Sequence, residues 1–142
     1  MAEILMASDN APAVRTPGAT RAGPGEHFFD LGKINAIRGG PDYSSVFGGC
    51  VEGDRMIVAV MRMPAGTGAQ SHSHPNEQWI YVLEGTLVAD INGHRQSAKP
   101  GTLIYVPAGT VHSATATSGA DVVFFTVKDA SHGLHGFKTT SD

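Results

Sequence analysis

Turn-forming residues punctuate this chain so closely that no long helix fits between them. Gly39-Gly-Pro-Asp, Gly48-Gly, Gly53-Asp, Pro64-Ala-Gly-Thr-Gly, Glu84-Gly, Asn92-Gly, Lys99-Pro-Gly, Pro107-Ala-Gly and Ser118-Gly follow one another along the sequence. Glycine, asparagine and proline favour the backbone angles that tight turns require. Between these signals lie short runs rich in β-branched and aromatic residues: Met56–Met63, Trp79–Leu83, Thr86–Ile91, Thr102–Val106 and Val122–Val127. Such runs predict strands of a sandwich or barrel, and apolar residues do not recur at helical spacing over any convincing length. Asn92-Gly93, between Thr86–Ile91 and His94–Ser97, predicts a hairpin, because both of its turn positions want positive φ.

A chain of 142 residues builds one ordinary core. With 41% hydrophobic and 16% charged residues it is too apolar for a disordered chain and too polar for a membrane protein. Ten Lys+Arg against thirteen Asp+Glu give a net charge of −3, and without a basic stretch no nucleic-acid partner is expected. The single Cys50 excludes an internal disulfide and fits a reducing compartment. The start, Met1-Ala-Glu-Ile-Leu-Met, carries an acid where an export signal carries bases, so a cytoplasmic protein without membrane contact is expected.

Residues 8–26 are rich in Ala, Pro, Gly, Thr and Ser. Residues 1–26 therefore read as a flexible or loosely docked N-terminal arm ahead of one domain spanning 27–142. Met56–Met63 is apolar at nearly every position, as expected of a strand covered on both faces by its own fold or by a partner subunit.

His72 and His74 stand one residue apart, so on an extended strand both imidazoles can point to one side. His112 opens a later strand, directly after the Pro107-Ala-Gly turn. Imidazole is the commonest protein ligand for divalent transition metals, and three of them leave positions open for water or substrate.

The stretch Gly66-Thr-Gly-Ala-Gln-Ser-His72-Ser-His74-Pro-Asn-Glu-Gln78-Trp-Ile-Tyr-Val-Leu-Glu-Gly85 resembles the first cupin motif, G-x5-H-x-H-x3,4-E-x6-G. Gly101-Thr-Leu-Ile-Tyr-Val-Pro107-Ala-Gly109-Thr-Val-His112 resembles the second, G-x5-P-x-G-x2-H-x3-N. The resemblance spans about Met56 to Val127. It implies an all-β fold, the antiparallel jelly-roll barrel also called a double-stranded β-helix. It also implies one divalent metal per subunit, a small-molecule substrate and a homodimer.

Two positions depart from the motifs. The family's acidic ligand position holds Gln78, and Glu77, one residue early, would face the other way along a strand. Ala116 stands where the second motif has Asn, a structural position in the family. The resemblance thus gives His72, His74, Gln78 and His112 as metal ligands. Four neutral ligands leave the full dication charge in place, which strengthens Lewis acidity and anion binding and weakens retention of the metal. The donor set suits Zn, Fe, Ni or Mn without choosing among them.

The local string is most similar to the three-His, one-Gln cupins that ketonise unsaturated monouronates, and more loosely to cupin polyketide cyclases. Those uronate cupins carry an acid on the strand after the second motif. Here that strand reads Asp121-Val-Val-Phe-Phe-Thr-Val, which implies a more apolar pocket. The expected function is Lewis-acid isomerisation, cyclisation or elimination of an enolisable carbonyl or hydroxyl substrate. The alternatives are an Fe(II) dioxygenase cleaving a diketone or phenol, and a non-enzymatic ligand-binding cupin.

No residue is assigned as the catalytic base. Gln70, by strand parity with His72 and His74, Arg62, as a carboxylate clamp, and Tyr105 are the candidate substrate-pocket residues. His94 reads as a turn residue, and His132 and His135 as surface residues or as part of a lid.

Overall fold

The structure, a computed structural model, describes residues 15–139. The first fourteen residues of the expected arm and the last three of the tail lie outside it. The described chain runs through twelve strands: β1 Thr20–Arg21, β2 Ala36–Arg38, β3 Phe47–Glu52, β4 Met56–Met63, β5 Gly68–Ser73, β6 Gln78–Glu84, β7 Leu87–Ile91, β8 His94–Ala98, β9 Leu103–Val106, β10 His112–Ala116, β11 Val122–Asp129 and β12 Phe137–Lys138. There is no helix among the described residues.

The strands form two facing sheets. One runs β1-β3-β4-β11-β6-β9, with β2 added to β3, and the other runs β12-β5-β10-β7-β8. Every pairing is antiparallel except that of β1 with β3. This is the jelly roll that the two motifs imply. Asn92 (φ 52°) and Gly93 (φ 87°) form the two-residue turn of the β7–β8 hairpin, with Ile91 opposite His94.

The core lies between the sheets. β4 sends Ile57, Ala59, Met61 and Met63 inward, to meet Val82, Leu87, Val106 and Val122 from the other strands. Each large side chain buried there stabilises the fold by about 1.5–3 kcal/mol. On the opposite face of β4, Val58 and Val60 are half-buried and Arg62 is exposed.

Both ends of the described chain are tied to the barrel. Thr20–Arg21 lies parallel to Val51–Glu52 of β3. Thr16 donates its backbone N–H to the Glu52 carboxylate at 3.0 Å, and its hydroxyl accepts the Leu134 N–H at 2.7 Å. After β11, residues 130–136 form a strap across one mouth of the barrel. The buried Asn76 holds it by donating from Nδ2 to the carbonyls of Asp129 (3.0 Å) and His132 (3.1 Å). Tyr43 accepts the Gly136 N–H at 2.7 Å, and β12 then pairs with β5.

Candidate metal centre

The barrel brings together three histidines from two strands. His72 on β5 lies directly opposite His112 on β10, while His74 follows just past the end of β5. Their ring centroids are 4.1 Å (His72–His112), 4.8 Å (His74–His112) and 6.0 Å (His72–His74) apart. One nitrogen from each ring lies within 4.8 Å of the others, and all three side chains are buried.

The backbone fixes which nitrogen that is. Nδ1 of His72 meets Gln70 O at 2.7 Å, Nδ1 of His74 meets Asn76 O at 2.8 Å, and Nδ1 of His112 meets Thr110 O at 2.8 Å. A carbonyl only accepts, so each Nδ1 carries the ring proton and each Nε2 presents a lone pair. Backbone partners of this kind orient metal-ligating histidines. Burial pushes the His72 imidazole down to about 3, helped by the neighbouring His112. Burial, with the charge of Lys128, lowers His74 to about 4, and burial also lowers His112. All three are therefore neutral, metal-competent imidazoles near pH 7.

Gln78, at the start of β6, joins them. Thr126 donates its one hydroxyl proton to Trp79 O at 2.9 Å, so it must accept from Gln78 Nε2 at 2.8 Å. That orients the amide and turns Oε1 to within 3.0 Å of His74 Nε2. The His74 ring proton already sits on Nδ1, so two lone pairs face each other across this gap. A cation shared between them satisfies both, and the three imidazoles with this amide oxygen fit a divalent ion. Glu77 faces away, accepting a hydrogen bond from Tyr105 at 2.9 Å.

Three expected pocket residues lie elsewhere. Gln70 is exposed, because β5 carries a bulge opposite β10: His72 pairs with His112 but Ala69 with Ala114, three steps against two. The extra residue shifts the alternation, so Ala69 shares the inner face with His72 while Gln70 and Ser71 turn outward. Arg62 points outward into an ion pair with Asp121 at 3.1 Å. Tyr105 is on the outer face of β9, its ring tilted against Trp79 with centroids 4.4 Å apart.

Beside the histidines is a cavity of about 70 Å³, walled by Val46, Met61, Met63, Leu87, Phe124 and Leu134. Tyr43 stacks on His72 at 4.0 Å and closes one side. Leu134 brings the strap over the cavity, whereas neither His132 nor His135 lines it.

Lys128 is the cavity residue that sequence reasoning missed. On β11, Val122, Phe124, Thr126 and Lys128 alternate inward, and Lys128 is only 4% exposed. Burial pushes its amine down to about 7. The expected strand stopped at Val127, two residues short, so an inward lysine in step with Phe124 and Thr126 went unread.

The buried imidazoles make stability pH-dependent. An unfolded histidine titrates near 6.5, so below that pH the unfolded chain binds protons that the fold refuses. The histidine contribution is full above pH 7 and is lost as pH falls towards 4. At pH 5, His72 and His74 each cost about 2 kcal/mol. Lys128 adds no slope below about pH 7. The melting temperature of metal-free protein, followed by circular dichroism, should fall by about 10 °C or more from pH 7.5 to pH 5. An unchanged melting temperature would contradict this burial.

Two facing sheets around a buried cluster of imidazoles define a jelly-roll barrel with a candidate mononuclear metal centre. The cupin domain model matches residues 59–128, which carry all three histidines and Gln78. Over those residues the chain carries a cupin domain. It is similar to KdgF from Halomonas sp. (TM-score 0.63, 19% identity, 73% of this chain and 93% of that one). It is also similar to the polyketide cyclase RemF from Streptomyces resistomycificus (0.64, 21%, 73% and 79%). An RmlC-like cupin from Shewanella frigidimarina aligns as well (0.63, 18%, 74% and 91%). At these identities the likeness shows the fold alone. No curated protein matches the chain.

Proposed function

We propose that this cupin is a metal-dependent small-molecule enzyme that promotes isomerisation, cyclisation or elimination of an enolisable carbonyl or hydroxyl substrate. The carrying observation is the set of three Nε2 lone pairs and one amide oxygen turned to a common point beside a cavity. His72, His74, Gln78 and His112 would hold one divalent ion, with no ligand charge to offset it. Such an ion supplies Lewis-acid stabilisation of negative charge developing on a substrate oxygen.

The chain's own residues supply the rest. Gln70 O, Asn76 O and Thr110 O hold the imidazoles in one tautomer, and Thr126 holds the amide. The apolar wall lowers the local polarity, which strengthens the electrostatic interactions beside it. The small cavity favours a compact substrate over a monouronate.

A cytoplasmic homodimer completes the reading. Trp79, Tyr81, Leu83, Leu103 and Tyr105 form an exposed apolar patch on the outer face of β6 and β9, which suits a second subunit. No helix among the described residues is long and apolar enough to cross a membrane.

The test is deuterium uptake by a small 2-oxo acid in D2O, followed by NMR, with protein loaded separately with Zn, Ni, Mn and Fe. At least one loaded form should accelerate exchange more than tenfold over metal-free protein. Iron-dependent oxygen consumption with a diketone, without exchange, would replace this reading by a dioxygenase. Silence in both assays despite a bound ion would leave a ligand-binding cupin.

A further inference from the structure

Lys128 stands in an unusual electrostatic position. It lines the same cavity as His72, Gln78 and His112, close enough that its charge acts on all three imidazoles. Its amine donates to Leu134 O at 2.5 Å. An ammonium group has three N–H donors, so two are left for another acceptor. No carboxylate lines the cavity among the described residues. Glu52 is engaged by Thr16, and Asp129 by Ser131 and by the Glu77 N–H.

A buried amine beside a dication with neutral ligands has no anionic partner in the cavity, and a bound carboxylate would supply one. We propose that Lys128 and the metal ion together form an anion subsite, in which the amine binds one end of a small carboxylate substrate whose short apolar body lies against Phe124, Met61 and Leu134. The subsite rests on the metal reading above and narrows its substrate class to compact carboxylic acids.

The competing account is that Lys128 only pins the strap through Leu134. Two variants separate the two: Lys128→Met removes both charge and hydrogen bond, whereas Lys128→Gln keeps an N–H donor for Leu134 O without the charge. The experiment loads wild type and both variants with Co²⁺, measures bound cobalt, and follows the visible cobalt bands during titration with propionate or its neutral analogue propionamide.

In both variants propionate affinity should fall at least tenfold while propionamide affinity stays within twofold. Restoration of propionate binding by Lys128→Gln would show the strap-pinning role and overturn the subsite. Equal propionate binding by wild type and both variants would overturn it too. Wild type that takes up no cobalt would instead overturn the metal reading, and the subsite with it. Melting curves confirm that each variant is folded.

Discussion

Replacing His74 by alanine should lower metal affinity on the order of a thousandfold and reduce turnover to that of metal-free protein. Loss of a single outer partner of a metal ligand already costs about 10–100-fold, and His74 is itself a candidate ligand at the centre of the site. It faces both His112 and Gln78 Oε1 and is 1% exposed, so its loss takes a central donor from the buried cluster. A melting curve of the variant checks that it is folded. Metal bound after dialysis against a competing chelator, measured by mass spectrometry, checks the expectation. Wild-type retention of metal by His74→Ala would contradict it.

Gly85→Ala should destabilise the fold by about 3–4 kcal/mol. Gly85 has φ +79°, where an alanine is strained by about 1–2 kcal/mol. Its Cβ would also stand 2.3 Å from Asp121 O and 3.0 Å from Val122 Cα, so β6 and β11 must separate locally, at roughly 1–3 kcal/mol more. Gly93→Ala is the control: φ is +87°, yet nothing lies within 4 Å, so only the backbone strain applies. The melting temperature should drop by about 10 °C for Gly85→Ala and by less than half of that for Gly93→Ala. Equal drops would show that the close approach of the two strands carries no energy.

The strands and the site were legible in the sequence to different depths. The hairpin at Asn92-Gly93 and the strand Met56–Met63 follow from local preferences alone, and the structure places both within those bounds. His72, His74 and His112 could be read from their spacing, and Gln78 from the resemblance to the first cupin motif. Gln70 could not be placed, since strand parity assumes an unbroken ladder and the bulge before His72 breaks it. Arg62 and Tyr105 sit on strands whose two faces are both partly apolar, so alternation gave no sign of which way they point.

Lys128 was hidden by its charge: the strand was read as ending where apolar residues end, although the inward step continues through it. Tyr43 reaches His72 from a loop, and Leu134 reaches the cavity from the strap, by contacts that no local pattern encodes. The docking of Thr16 and Thr20–Arg21 on β3 has the same character. It depends on the Glu52 carboxylate, far along the chain.

X-ray absorption spectroscopy of zinc-loaded protein tests the metal centre most directly. The account predicts one ion per chain, with the scattering signature of three imidazoles and an additional oxygen ligand, and loss of one imidazole in His112→Ala. A spectrum with fewer than three imidazoles in the wild type, or one unchanged by His112→Ala, would contradict it.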